Sequence, residues 1–419
     1  MTTESNTPMT VDDSAAAKNT PGGFRVGIKW RVIGSAAPVF PGFEVDICER
    51  VPDDQKPDAV WHRDRAKAMI RAHPEIKELF GHHPGTAFWC VACAGAQVAL
   101  AAACVHLPWW GLLLVAYFVG ALVNQQLFQL AHECDHHLVF KKPFWNRYLF
   151  TLTSLPMFLS GHHTWWVEHI VHHNDMGATK DFITRRRSFF LLTRYTSPMF
   201  IPYSLIMLVT QILRSAFGLI VYLFTSLLRG RLEPTRFALA VLADEHLVTG
   251  YEKEKIQKWA VVYPLLSFLM YGAVAGYGYA VAGWLGLAMP LVYLMLAQAF
   301  FTGWMHPYCL GWVLGISHFH GTKRYQPTAS NYGRFVNLYS FNGGLHVEHH
   351  DIMGIPYFRL PQLRKIAPEF YDDLDKINSY TKLGFQFVFS DWSMFEAHFN
   401  NETHRNLQRF SERPAAPSA

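Results

Sequence analysis

This chain has little charge and no long basic patch. Charged side chains make up 16% of its 419 residues, and 50% of the residues are hydrophobic. Ordinary soluble domains carry about 25% charged residues. The shortage of charge favours an integral membrane protein over a soluble one. The net charge of +5 comes from short basic groups, which are typical of anchors at a membrane surface and do not form a nucleic-acid interface.

Two further absences narrow the class of protein. The six cysteines lack the paired spacing of a secreted disulfide framework, which makes a cross-linked fold a poor hypothesis. The N-terminal stretch MTTESNTPMTVDDSAAAKNTPGG is polar and lacks the basic, then apolar, pattern of a signal peptide. We therefore expect the first apolar segment to remain in the protein and to anchor it in a membrane.

Four apolar segments of about bilayer-spanning length form two pairs. Thr86 to Val105 and Trp109 to Leu130 are joined by a short connection, as are about Val261 to Ala282 and about Leu285 to Met305. The connections within the pairs lack lysine and arginine, whereas the flanks carry the basic groups. The sequence thus predicts an all-α integral membrane protein with two transmembrane helical hairpins, and the positive-inside rule places the termini and the loop between the hairpins in the cytoplasm.

The remaining segments are less periodic. Trp61 to Phe80 mixes charged and aliphatic residues, which predicts an amphipathic helix lying on the membrane. Apolar segments at 145–160 and 199–228 are interrupted by Pro and Arg, which favours interfacial or re-entrant helices. The expected organisation is a disordered tail (1–24), an extension of unassigned role (25–60), a membrane domain (61–405) and a disordered C-terminal tail (406–419).

Three histidine clusters dominate the polar residues: HECDHH, HIVHH and HVEHH. Each spaces its histidines three or four residues apart, which on a helix places the imidazoles on one face. All three clusters fall on the same predicted side of the membrane, because each follows a span or lies between the two hairpins. Their histidines can therefore converge. They are His132, His136, His137, His169, His172, His173, His346, His349 and His350.

Eight or nine imidazoles gathered at a membrane surface indicate a metal site with more than one ion. Neutral imidazole binds iron, copper, zinc or nickel, and two ions with four or five nitrogen ligands each would use this set. Iron activates oxygen at open coordination positions, so the implied reaction is oxidative. Acids near the clusters are candidates to accept the second ring N–H of a ligand histidine. They are Glu133, Asp135, Glu168, Asp175, Asp181, Glu348 and Asp351.

Two other interpretations fit part of the pattern. The letters HECDH match H-E-x-x-H, the zinc-protease helix, with His132 and His136 as ligands and Glu133 as general base. Such a site needs one further ligand and leaves the other two clusters unexplained. A nonenzymatic metal-binding or transport protein is a second interpretation, although its ligands would be expected to line the spans.

The three boxes and their placement resemble the membrane fatty acid desaturase and hydroxylase superfamily, over about Trp61 to Asp391. The first box, AHECDHH, is similar to that of acyl-lipid desaturases. The third region, NGGLHVEHHDIMGIPYFRLPQLRKIAPEFYDDL, and the stretches HPEIKEL and KDFIT are closer to sphingolipid delta-4 desaturases. Asp135 and His137 depart from the sphingolipid enzymes, so the resemblance leaves the substrate as a long acyl or sphingoid chain.

The resemblance implies a ligand set of nine histidines. A ninth ligand is expected shortly after the fourth span, where GISHFHG offers His318 or His320, and His318 is favoured by its distance to 331–333. His137 matches a position that is not a ligand in the family. The implied metal ligands are His132, His136, His169, His172, His173, His318, His346, His349 and His350.

The resemblance also implies the reaction. A cytoplasmic helical cap would hold two Fe ions, with dioxygen as co-substrate, and the enzyme would introduce a double bond into a membrane lipid. The same scaffold also serves lipid or hydrocarbon hydroxylases, which stay as the alternative. Electrons would come from an external donor, cytochrome b5 or a ferredoxin with its reductase. The expected location is the bacterial inner membrane or the endoplasmic reticulum, with no nucleic-acid partner.

Overall fold

The computed structural model describes residues 27–28, 43–44, 57–157, 169, 172–176, 209, 250–302, 306–309, 317–318 and 326–382. Most of these residues are helical. A two-stranded antiparallel pair, β1 (Gly27–Ile28) and β2 (Phe43–Glu44), precedes the helices. The helices are α1 (Pro57–Ala72), α2 (Thr86–Ala103), α3 (Trp109–Val115), α4 (Ala121–Asp135), α5 (Pro143–Ser154), α6 (Gly250–Thr302), α7 (Arg334–Tyr339), α8 (His346–Asp351) and α9 (Leu360–Ile366).

Three helical segments among the described residues are long and apolar enough to cross a membrane: Thr86–His106, Trp109–Asp135 and Leu265–Thr302. The first two agree with the predicted first pair of spans. A π-helical turn, Ala116–Gly120, joins α3 to α4, so that the second segment is continuous. Apolar side chains of these segments, with Leu149 and Phe150 of α5, form one buried core.

The α6 segment contains a break where the sequence predicts the second connection. Ala282 and Gly283 have non-helical dihedral angles, and the φ of Gly283 is +61°. Gly278 and Gly286 are in backbone contact, although eight residues of continuous helix would separate them by about 12 Å. The chain therefore folds back on itself near Gly283, and the lack of a side chain at the two contacting glycines permits the close approach.

Buried amide side chains connect the spans. Gln97 Nε2 donates to Asn124 Oδ1 at 2.8 Å, and Asn124 Nδ2 donates to Gln298 Oε1 at 3.1 Å. The Tyr293 hydroxyl donates to Gln97 Oε1 at 3.1 Å. We call these four residues the amide chain. Hydrogen bonds between polar side chains of this kind hold transmembrane helices together, because the alternative is an unpaired amide in an apolar surrounding.

The amphipathic segment from Trp61 to Phe80 contacts protein, which differs from the predicted position on the membrane. Trp61, Met69 and Ile76 are buried in a second core with residues of α8 and α9 and the segment that follows α9. The amphipathic pattern correctly indicated an apolar face, but a pattern of this kind does not distinguish lipid from a protein surface as the partner.

Other predicted segments are described only in part. Helix α5 covers the first part of the predicted interfacial segment 145–160 and, at 12 residues, is shorter than a span. Its exposed residues Phe144, Trp145 and Tyr148 follow Lys141 and Lys142, a combination typical of a membrane interface. The predicted segment 199–228, apart from residue 209, and both terminal tails lie outside the described residues.

Candidate metal centre

The first histidine cluster lies at the end of a span. His132 occupies the last turn of α4, and the backbone N–H of His136, the first residue beyond the helix, donates to the carbonyl of His132 at 3.2 Å. The spacing of four residues keeps these two imidazole rings together, with centroids 4.7 Å apart. His137 has a φ of +57° and leaves the helical path. It belongs to neither of the two histidine groups described below.

The third cluster is carried by α8, a short helix that begins after a tight turn. Phe341 and Asn342 in this turn have positive φ values of 51° and 67°. The turn places His349 and His350 in the interior, where they are 0% and 6% exposed. Gly343, also in the turn, lies against the side chain of Gln129, and a Cβ at this position would come within 2.6 Å of the Gln129 Cδ.

Five histidines from all three clusters meet at one place, which we call the five-histidine group. Each offers one ring nitrogen, and these atoms lie within 4.8 Å of one another. Among them, Nε2 of His173 lies 2.9 Å from Nε2 of His169 and 3.2 Å from Nε2 of His349. The members are His132, His136, His169, His173 and His349.

A second set, the three-histidine group, lies beside the first. It consists of His172, His318 and His350, whose ring nitrogens also lie within 4.8 Å of one another. His346 Nε2 is 2.9 Å from His318 Nε2, so His346, the one predicted ligand that belongs to neither group, contacts this group. The ring centroids of His173 and His350 are 4.3 Å apart, which makes the two groups neighbours. His320, the alternative to His318, lies outside the described residues.

The separations and the protonation state of the histidine ring nitrogens fit those of metal ligands. Metal–nitrogen bonds of about 2.1 Å at right angles bring two ligand nitrogens to about 3.0 Å, close to the observed separations. Burial lowers the pKa of His136 and of His346 to about 3, so both imidazoles are neutral and keep a lone pair. His136 Nε2 and His349 Nδ1 are buried and have no hydrogen-bond partner among the described residues. A single zinc of the H-E-x-x-H type would use only three ligands of this set.

The acids near the clusters have distinct partners. His169 Nδ1 donates to the buried Asp135 Oδ2 at 2.5 Å, the contact expected for a carboxylate that orients a ligand imidazole. Glu133 Oε1 accepts the backbone N–H of Tyr357 at 3.1 Å. Glu348 accepts the hydroxyls of Ser330 and Tyr332. The candidates Glu168 and Asp181 lie outside the described residues, and the role of Asp175 stays a prediction.

Sequence reasoning did not find several residues that contact the clusters. The Tyr357 hydroxyl lies 2.9 Å from His132 Nδ1, 225 positions away in the chain. His62 and Arg65 of α1 bind Asp351, the neighbour of His350. The sequence carries no local signal for such contacts, because each of these residues stands alone and its partner is distant.

Comparison with known proteins agrees with this geometry. Residues 107–381 match the pattern of the family described as "Fatty acid desaturase", and residues 54–85 match "Sphingolipid Delta4-desaturase (DES)". The chain is 27% identical to a sphingolipid delta(4)-desaturase of Candida albicans, over 79% of this chain and 82% of that protein. It is 28% identical to the sphingolipid delta(4)-desaturase of Schizosaccharomyces pombe, over 78% of this chain and 82% of that protein. It is 27% identical to sphingolipid delta(4)-desaturase DES1 of Drosophila melanogaster, over 78% of this chain and 88% of that protein. Since the family pattern covers about two thirds of the sequence, this chain belongs to the fatty acid desaturase family of di-iron oxidoreductases.

Proposed function

We propose that this protein is an oxygen-dependent lipid desaturase that introduces a double bond into the sphingoid chain of a membrane sphingolipid. The observation that carries the proposal is the pair of adjacent, buried histidine groups at the end of an apolar helix. Such a site combines many neutral nitrogen ligands with access to a membrane lipid. The relatives that share about four fifths of the chain act on sphingolipids by name, which favours this class of substrate.

The nine histidines would hold two iron ions. The five-histidine group would bind one ion, and the three-histidine group with His346 would bind the other. Two bound iron ions would supply the reduction of dioxygen and the oxidising power needed to remove two hydrogens from an unactivated pair of methylenes.

The protein residues around the groups orient the ligands and exclude water. Asp135 would fix the ring of His169, and Tyr357 would fix the ring of His132, through the nitrogen that does not face the metal. Histidines 132, 169, 172 and 349 are 6% exposed or less. A dry site of this kind protects a strong oxidant from side reactions with solvent.

The arrangement in the membrane would be two transmembrane hairpins with a cytoplasmic cap. The chain reversal near Gly283 supports the second hairpin, and the lack of lysine and arginine in the short connections supports the cytoplasmic side for the histidines. Electrons would reach the site from an external donor on that side, cytochrome b5 or a ferredoxin with its reductase.

The position of the site near the end of an apolar helix supports a bond near the polar end of the substrate. A delta(4) double bond lies directly beyond the carbons of a sphingoid base that carry its hydroxyl and amino groups. The reacting carbons must therefore stay close to the membrane surface. His132 lies three residues before the end of the apolar helix Trp109–Asp135, or about 4.5 Å along the helix axis. A site near the end of an apolar helix supports a bond close to the polar end of the lipid.

The test is lipid analysis after expression. The chain would be produced in a host that lacks delta(4) sphingolipid desaturation but contains cytochrome b5 and its reductase. Two variants would be compared with it: His349→Ala, which removes a member of the five-histidine group, and His106→Ala, which changes an exposed histidine outside both groups. Mass spectrometry would then compare sphingoid bases and acyl chains.

We expect a loss of two hydrogens in the sphingoid base with the unchanged chain and with His106→Ala, and no product with His349→Ala. The same loss in acyl chains would move the substrate to the acyl-lipid class. Added oxygen would favour the hydroxylase alternative. Full turnover by the His349→Ala variant would contradict the proposed metal centre, and membrane fractionation of each variant would show that insertion is unchanged.

A further inference from the structure

Asp351 closes α8 and is the chain neighbour of His350 in the three-histidine group. Its side chain is 0% exposed. The carboxylate accepts a hydrogen bond from His62 Nδ1 at 2.7 Å and from Arg65 Nη2 at 3.0 Å, and Arg65 Nε lies 3.2 Å from both of its oxygens. Both donors belong to α1, 286 or more positions away in the sequence. The buried carboxylate therefore fastens the third histidine box to the N-terminal helix.

Arg65 is itself held in place. Its Nη2 also donates to the backbone carbonyl of Phe370 at 2.7 Å, and its guanidinium lies 4.4 Å from the ring centroid of Trp61. The side chain is 11% exposed. A guanidinium with two hydrogen-bonded partners and an aromatic neighbour has little rotational freedom. The planar fork of donors in arginine fits this geometry, whereas the ammonium of a lysine does not.

His62 contacts His350 of the three-histidine group and also a segment that is hydrogen-bonded to the neighbour of His318. Its Nε2 lies 3.1 Å from Thr328 Oγ1, and its ring centroid is 5.3 Å from that of His350. The residue after Thr328, Ala329, donates its backbone N–H to the carbonyl of Ser317, the neighbour of His318, at 2.8 Å. Both ring nitrogens of His62 have protein partners, so His62 is a structural residue here and not a further ligand.

We propose that Trp61, His62 and Arg65 form a clamp whose function is to position the three-histidine group for its metal ion. The clamp lies within 54–85, the stretch that matches the sphingolipid delta4-desaturase pattern, and outside the part that matches the general desaturase pattern. It supports the ion of the three-histidine group more than the other ion, because its contacts reach Asp351, His350 and the segment next to His318. The five-histidine group, in contrast, receives only one of its five members, His349, from α8. The inference rests on the proposed di-iron function.

Metal titration of the full-length protein tests the clamp without turnover. The purified protein in detergent would be stripped of metal and titrated with Co²⁺, whose visible absorption reports each filled site. The variants are Arg65→Gln and His62→Asn. Lys67→Gln is the matched control, since Lys67 lies on the same helix with its side chain 62% exposed. Circular dichroism would follow the fold.

We expect the unchanged protein and Lys67→Gln to bind two Co²⁺. Arg65→Gln and His62→Asn should bind the ion of the five-histidine group with unchanged affinity. They should bind the ion of the three-histidine group at least about tenfold more weakly, as is found when other residues that support metal ligands are changed. Unchanged binding of both ions, or equal weakening of both, would overturn the clamp. If either variant does not fold, Arg65→Lys and Thr328→Val decide by the same criterion. No cobalt binding by the unchanged protein would overturn the metal centre itself.

Discussion

Replacing Asp135 by asparagine tests how the five-histidine group is oriented. In the structure His169 Nδ1 donates to Asp135 Oδ2 at 2.5 Å, and the two side chains are 3% and 0% exposed. The substitution keeps the size of the side chain and an acceptor oxygen but removes the charge. Loss of a carboxylate partner of a ligand histidine lowers metal affinity by about 10- to 100-fold, which corresponds to about 1.4 to 2.7 kcal/mol.

The assay is the same Co²⁺ titration of metal-free, full-length protein. We expect Asp135→Asn to lower the affinity of the five-histidine group for its ion and to leave the affinity of the three-histidine group unchanged. This is the reverse of the result expected for Arg65→Gln. Asp372→Asn is the control, because the side chain of Asp372 is 61% exposed and, among the described residues, its contact is with the partly exposed Arg364. Tight binding of both ions by Asp135→Asn would refute the reasoning that this carboxylate supports a ligand.

Three further changes follow from contacts outside the metal groups. Asn124→Leu removes two hydrogen bonds of the amide chain and should lower the stability by about 1 to 3 kcal/mol, measured as a fall in the midpoint of thermal unfolding in detergent; an unchanged midpoint would contradict a structural role. Gly344→Ala places a Cβ 2.5 Å from the backbone oxygen of Asn331, which cannot move aside as the end of a side chain can, so lipid product and thermal midpoint should both fall; a variant with full activity would show that the turn adjusts freely. The hydrogen bond to Glu369 raises the pKa of His73 above 6.5, and that to His73 lowers the pKa of Glu369 below 4.5. The His73–Glu369 pair therefore stabilises the fold fully between about pH 4.5 and pH 6.5. This stabilisation is lost as the pH rises through the raised pKa of His73. The thermal midpoint of the unchanged protein should exceed that of His73→Asn at pH 6 and converge with it at high pH; a constant difference would contradict this.

Local patterns predicted much of the fold. The first two apolar segments, the break at Gly283 and the helical first and third boxes all follow from composition and from spacings of three or four residues. These features depend on neighbours in the chain, so the sequence displays them directly. The ligand assignment of the nine histidines stays a prediction, although the structure brings all nine into contact.

The partner of an amphipathic face was not visible in the sequence. The segment from Trp61 to Phe80 was expected on the membrane, but its apolar residues pack against α8, α9 and the segment that follows. A lipid surface and an apolar protein surface select the same pattern of side chains. Only the position of the third box in space decides between them.

From the sequence alone, this protein is a membrane protein with spans of bilayer length and three sets of closely spaced histidines, because hydrophobicity and helical spacing are local properties. The tertiary structure decided how those histidines divide into a group of five and a group of three, with His346 beside the latter. It also decided that Tyr357, His62 and Arg65 support them. These contacts join residues up to 289 positions apart, and such pairings arise only when the packed helices bring distant side chains to the same buried site.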